Sequence, residues 1–201
     1  MKILIVGGVA AGTKTAAKLK REMGDKADVT VITLGSYISY AACGLPYYIG
    51  QVIKEKETLL ENTPASFENL TDVKVITGIE AVKLDRAGKT VYAKNHNTGA
   101  DETYDYDMLV IATGARPVKP PIPGIDLENI FTLRDPDDAD RIKAAVATGN
   151  IKRACIIGGG AIGLEMAENL SLLGVRASVI DMAPHILPGY DADFADYAEN
   201  M

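Results

Sequence analysis

The sequence predicts an α/β protein in which two βαβ units are separated by an antiparallel β-meander and a proline-rich crossing. Three observations predict it. An apolar run at Lys2–Val6 feeds the turn Gly7-Gly8-Val9-Ala10-Ala11-Gly12. The same grammar returns in Gly158-Gly159-Gly160-Ala161-Ile162-Gly163, 151 positions after Gly7. Between the two, apolar and polar residues alternate as they do in half-buried strands.

Each element follows in order. Lys2–Val6 is short and, after Lys2, wholly apolar, the pattern of a strand buried on both faces. A helical stretch then runs to about Met23, with Gly24 at its C-cap, and Val29–Leu34 is the second buried strand. Val73–Lys94 and Glu102–Tyr106 alternate around turns at Arg86-Ala87-Gly88 and Asn97-Thr98-Gly99, which reads as a meander over about 73–106. Met108–Ala112 is again a buried strand. Pro117, Pro120, Pro121 and Pro123 make a stiff extended crossing, and Asp135–Thr148 reads as a helix. The second unit comprises Ala154–Ile157, a helix at Leu164–Leu173 and a strand at Arg176–Asp181, with a helix beginning at Asp191–Asn200. The expected domains are therefore 1–116, a linker and helix over 117–150, and 151–201.

Composition bounds the function. The 201 residues are 47% apolar and 24% charged, the balance of a globular protein able to bury its own core. Against 27 Asp and Glu stand 21 Lys and Arg, a net charge of −6, which argues against a nucleic-acid partner. No apolar run reaches the roughly 18 residues of a membrane span, and Met1–Val6 is too short for a signal h-region. Two distant cysteines, Cys43 and Cys155, point to a reducing cytoplasm without a disulfide framework.

In the second turn, Gly158, Gly160 and Gly163 follow a strand and open a helix, the context in which such glycines let a backbone approach a pyrophosphate. Asp181 ends the next strand 23 residues after Gly158, where a carboxylate accepts from a ribose 2′-hydroxyl. Met182 and Ala183 bring no positive charge for a 2′-phosphate, so NADH is favoured over NADPH. The first turn is less regular. Val9 stands at the middle glycine position and Thr33 where the acid belongs, so spacing alone leaves it between a nucleotide turn and a structural one.

Cys43 lies in Ser39-Tyr40-Ala41-Ala42-Cys43-Gly44-Leu45-Pro46-Tyr47-Tyr48. Pro46 marks a helix start there, a setting that favours a thiolate; the competing reading is a small buried hydrophobe. Cys155, inside a strand, is expected to be buried. His96 and His185 have no partners at metal-ligand spacing, so no metal site is expected. Lys14, Lys18 and Arg21 form one basic helical stripe, the usual pattern of a solvated face.

Together these segments resemble the pyridine nucleotide-disulfide oxidoreductases, and among them the single-cysteine branch of coenzyme A-disulfide reductases and NADH oxidases or peroxidases. The resemblance runs along essentially the whole chain. It rests on Val6–Gly12, on Ser39–Tyr47 around Cys43, on Tyr106–Pro117 with Ala112-Thr113-Gly114, and on Gly158–Glu165. It implies FAD/NAD(P)-binding Rossmann-like units, with FAD on 1–116 at Gly7, Gly8, Val9, Ala10, Ala11, Gly12, Thr33, Leu34, Ala112, Thr113 and Gly114. A nicotinamide cofactor is implied on 151–201 at Gly158, Gly160, Ala161, Ile162, Gly163, Glu165 and Asp181. Cys43 is implied as the redox-active residue, reducing a small-molecule disulfide such as coenzyme A disulfide. Lys14, Lys18, Arg21, Ser39 and Ala42 would border the coenzyme A pocket.

Departures from the family pattern bear on the activity. Ala10 stands where oxidases and peroxidases of the branch carry histidine, which favours the reductase side. Ala42 replaces an asparagine, Thr33 an acid and Ala161 an aromatic. Full-length members are more than twice as long and homodimeric, so the chain is expected to be an N-terminal portion with a truncated second unit. An NADH oxidase or peroxidase, and a non-catalytic nucleotide-binding remnant, are the alternative expectations.

Overall fold

A computed structural model describes residues 1–200. In chain order the elements are β1 (Lys2–Val6), α1 (Ala10–Met23), β2 (Asp28–Thr33), β3 (Ile38–Tyr40), α2 (Leu45–Ile49), β4 (Leu60–Asn62), α3 (Pro64–Thr71), β5 (Lys74–Thr77), β6 (Ile79–Asp85), β7 (Thr90–Asn95), β8 (Asp101–Asp105), β9 (Met108–Ile111), α4 (Pro136–Ala147), β10 (Arg153–Ile157), α5 (Ala161–Leu172), β11 (Arg176–Ile180) and α6 (Ala192–Glu199). The chain divides into two compact units. Met1–Ala41 with Leu60–Arg116 forms the first, and Ala42–Leu59 with the stretch from Pro117 onward forms the second.

In the first unit a parallel sheet runs in the order β5-β2-β1-β9. β1 is central, and its two faces pack into different cores. Ile3 and Ile5 pack with Val29, Val31, Ala16 and Phe67, while Leu4 and Val6 pack with Ile32, Ile79, Val91 and Ala93. A strand covered on both sides can carry no polar residue on either, hence its unbroken apolar run. The second core is capped by the antiparallel sheet β6-β7-β8.

The meander is shorter than the alternation suggests. Residues 74–77 leave it and join the parallel sheet, with Val31 opposite Val75. Alternation reports that one face of a strand is buried, not which way its neighbour runs. Gly78, at φ +74°, separates β5 from β6. The helix expected at Leu164–Leu173 begins instead at Ala161, directly after Gly160.

In the second unit β10 and β11 pair in parallel, from Arg153 with Arg176 to Ile157 with Ile180. Their outward residues stay open: Ile157 is 63% and Ile180 57% exposed, and Cys155 is exposed with them. The expectation that Cys155 is buried is therefore corrected. A two-stranded sheet with α5 on one face leaves the other face uncovered.

The Ala42–Leu59 segment is bound into this second unit by α4. Tyr48 Oη donates to Asp140 Oδ1 at 2.9 Å, and Lys56 Nζ donates to Asp140 Oδ2 at 2.5 Å. Lys143 Nζ lies 3.6 Å from the Tyr48 ring centre and donates to the Lys54 carbonyl at 3.3 Å. Burial alone would raise the Asp140 carboxyl, but bonds from Lys56 and Tyr48 outweigh it and hold it below the ordinary carboxylate value. Its contribution to stability is thus present above the unfolded-state value of about 4 and lost as pH falls through the lower folded value. Asp140→Asn should cost about 1 kcal/mol or less at pH 7, since the side chain is 40% exposed and solvent screens the pair. Denaturant midpoints of the two proteins should converge as pH falls below about 4; a gap that stays constant with pH would show that the charge is irrelevant.

Candidate functional site

Each unit carries one glycine turn, and the two turns share their geometry. In the first, Gly7 adopts φ +117° and its N–H donates to the Ile32 carbonyl at 2.8 Å. In the second, Gly158 adopts φ +115° and donates to the Ile180 carbonyl at 2.8 Å. A Cβ on Gly12 would overlap the Gly7 carbonyl oxygen, and a Cβ on Gly163 would overlap that of Gly158. Both glycines therefore allow the first turn of a helix to sit against the strand that feeds it.

The middle position of each turn takes a backbone that does not depend on glycine. Val9 takes φ −101° and Gly160 φ −76°, and each serves as the N-cap of the helix that follows. Neither value demands glycine, so Val9 forms the same turn. Thr13 N–H donates to the Val9 carbonyl at 3.0 Å and Leu164 N–H to the Gly160 carbonyl at 3.1 Å.

Neither α1 nor α5 has a side-chain cap, whereas Thr63 caps α3 and Asp135 caps α4. An uncapped N-terminus after a glycine cradle leaves backbone donors and the positive helix end to an anion. The donor sets fit dinucleotide pyrophosphates on these grounds.

Around the first turn the fold gathers residues far apart in sequence. Ala112 N–H donates to the Val6 carbonyl at 2.8 Å, and a Cβ on Gly7 would run into the Ala112 carbonyl. Ala112 and Thr113 thus line the turn, and Gly114 follows them at φ +70°. A Cβ on Gly8 would lie 2.9 Å from the methyls of Thr33 and Ile38, and Ser39 N–H donates to the Gly8 carbonyl at 3.1 Å. Thr33 is buried and Leu34 exposed. Ala10 and Ala11 face solvent at the start of α1. Lys14, Lys18 and Arg21 are exposed along α1, and Lys18 pairs with Glu22 at 2.7 Å.

The second turn differs in its acid. Asp181 accepts from Gly159 N–H at 2.6 Å and from Ala183 N–H at 2.7 Å. Those backbone bonds, Ala183 first and Gly159 second, hold its carboxyl below the ordinary range. The carboxylate braces its own turn, and Thr33 has no equivalent group to offer. Ala161 and Ile162 are exposed and Glu165 half-buried at the head of α5.

Also in the second unit, Ala42, Cys43 and Gly44 form a single 3₁₀ turn leading into α2. The Cys43 thiol is exposed, which rules out the reading as a buried hydrophobe. Leu45, Pro46, Tyr48 and Ile49 are buried behind it. Among the described residues there is no cluster of three or more metal-ligating side chains, and no helix is long and apolar enough to cross a membrane.

Sequence reasoning missed the partners of this thiol segment. Tyr48 and Asp140 lie 92 positions apart, and no local pattern links them. Asn169 offered a weak signal, as a polar residue between Met166 and Leu170 on the buried face of α5.

The chain is similar to proteins of known activity. It is 39% identical over 203 residues to an NADH oxidase of Enterococcus faecalis, covering 99% of this chain and 44% of that protein. It is 32% identical over 192 residues to a coenzyme A disulfide reductase of Staphylococcus haemolyticus, covering 96% of this chain and 43% of that one. The crystal structure of reduced Bacillus anthracis CoADR-RHD matches at a TM-score of 0.95 and 40% identity, over 99% of this chain and 36% of that one. The chain thus spans less than half the length of these relatives. Residues 1–201 all match one family description, and with the twin glycine turns this establishes that the chain belongs to the pyridine nucleotide-disulphide oxidoreductases.

Proposed function

We propose that the protein is a FAD-dependent, NADH-linked reductase of a small-molecule disulfide such as coenzyme A disulfide, with Cys43 as its redox-active residue. The observation that carries the reading is an exposed thiol at the mouth of a buried helix, in a chain with two matched, uncapped glycine turns. Residues 1–116 take the FAD role through Gly7–Gly12, Thr33, Leu34 and Ala112–Gly114. Residues 151–201 take the nicotinamide role through Gly158–Gly163, Glu165 and Asp181.

In this reading the Cys43 thiolate attacks one sulfur of the disulfide, expels the other half as a thiolate and remains in a mixed disulfide. A flavin bound on the first unit supplies the two-electron relay from the nicotinamide to that bond. The balance is NADH, one proton and one disulfide giving NAD⁺ and two thiols. Lys14, Lys18 and Arg21, exposed on the first unit, supply cationic donors suited to coenzyme A phosphates. A cytoplasmic setting and a homodimer of the whole protein belong to the same proposal.

Identity to the Enterococcus NADH oxidase supports a second reading, in which oxygen or peroxide replaces the disulfide. Comparing acceptors for NADH consumption by the whole protein separates the two. In the whole protein, Cys43→Ser should lower disulfide-dependent NADH oxidation by roughly a hundredfold or more. Turnover close to that of the parent would remove Cys43 from the reaction.

Cofactor choice is tested at Asp181. Asp181→Asn retains an acceptor for the Gly159 N–H while removing the charge that repels a 2′-phosphate. The ratio of kcat/KM for NADH over NADPH should fall roughly tenfold, the equivalent of about 1.4 kcal/mol. An unchanged ratio would place the discrimination elsewhere.

A further inference from the structure

We propose that Asn169 is a positioning residue for Cys43, acting through a side-chain-free seat at Gly50. The proposal rests on the reading of Cys43 as the redox thiol. Asn169 is 1% exposed on α5, and its Nδ2 donates to the Glu165 carbonyl at 2.8 Å. Its Oδ1 is buried without a hydrogen-bond partner. A buried carbonyl without a partner is costly, and such a group calls for a reason.

The neighbour of that oxygen supplies one. Gly50 directly follows α2, and a Cβ there would lie 2.7 Å from both Cβ and Cγ of Asn169 and closer still to Oδ1. Gly50 takes φ −71°, a conformation open to any residue, so its lack of a side chain is not a backbone requirement. It is a requirement of the approach. The carboxamide occupies the space along a Cα–H direction of Gly50, and α2 settles against α5 only because nothing projects there.

The seat matters because α2 is five residues long. A helix that short has no stability of its own and takes its orientation from what it packs against. At its C-terminal end it meets Asn169, and its Tyr48 is tied to Asp140. The 3₁₀ turn carrying Cys43 leads directly into its N-terminal end. A displacement at Gly50 is therefore delivered to the thiol, seven positions away, along a short Pro46-containing element. Asn169 stands on the helix that begins at the second glycine turn, so the thiol segment is indexed to that helix.

The test reads thiol reactivity by mass spectrometry during iodoacetamide labelling, with exposed Cys155 as the internal reference. The proteins are the parent chain, Gly50→Ala, Asn169→Ser, and the double variant Gly50→Ala with Asn169→Gly, in which the alanine methyl enters the space left by the whole Asn169 side chain, its Cβ included. Each single substitution should raise the Cys43 rate at least threefold while Cys155 stays within twofold. The double variant should bring Cys43 back to within twofold of the parent. If Gly50→Ala does not fold, the Asn169→Ser and double-variant rates decide in the same way. An unchanged or slower Cys43 in Asn169→Ser, a parallel shift of both thiols, or no recovery in the double variant would overturn the proposal. The outcome is independent of the redox reading: loss of that reading through an active Cys43→Ser protein leaves the labelling result to stand or fall alone.

Discussion

A helix can start within touching distance of the strand that feeds it only if nothing projects from the residue facing the first carbonyl beyond that strand. Gly12 against Gly7, and Gly163 against Gly158, meet this condition, and the rest of the architecture follows from it. The close approach brings the uncapped ends of α1 and α5 to the ends of β1 and β10. It also forces Gly7 and Gly158 to positive φ, a conformation that glycine adopts without steric penalty. A side chain at either third glycine would push the helix outward and open the cradle that an anion needs.

The two units use this device in different surroundings. The first turn is embedded: β1 is covered on both faces, Thr33 and Ile38 close over Gly8, and Ala112 abuts Gly7. Much of its rigidity therefore comes from apolar packing. The second turn sits on a two-stranded sheet with one open face, and a charged group takes over the bracing. Asp181 holds Gly159 and Ala183 through short charge-assisted bonds, which also keep it ionised. The carboxylate proposed above to meet a ribose thus also holds the loop that follows β10.

Cys43 is governed by a third kind of contact. Its segment has almost no regular structure of its own, and long-range side-chain bonds supply the order. Tyr48 and Lys56 bond to Asp140 of α4, Lys143 of α4 reaches back to the Tyr48 ring and the Lys54 carbonyl, and Gly50 rests on α5. Cys43 remains exposed while Leu45, Pro46, Tyr48 and Ile49 of the helix that follows it are buried. An accessible sulfur on a fixed support is the arrangement a nucleophile requires.

Local chemistry made much of this legible in advance. The apolar run of β1, the two glycine turns and the capped helix at Asp135 depend on residues within one turn or one strand of each other, so spacing alone reveals them. Val9 was legible only in part, because a consensus glycine and a permissive backbone look different in sequence but take the same turn. The partner of β5, the exposure of Cys155 and the seat at Gly50 were not legible. Alternation records burial of a face and not the direction of a neighbour, and an apolar strand records its strand character and not whether a further layer covers it. A glycine at negative φ records nothing until the side chain opposite is known. By itself the sequence determined the two glycine turns and the thiol's local setting, since short-range sterics and capping decide them. Only the tertiary structure decided what braces each turn and what supports Cys43, because those contacts join residues of different elements, 22 positions apart for Asp181 and Gly159 and 92 for Tyr48 and Asp140.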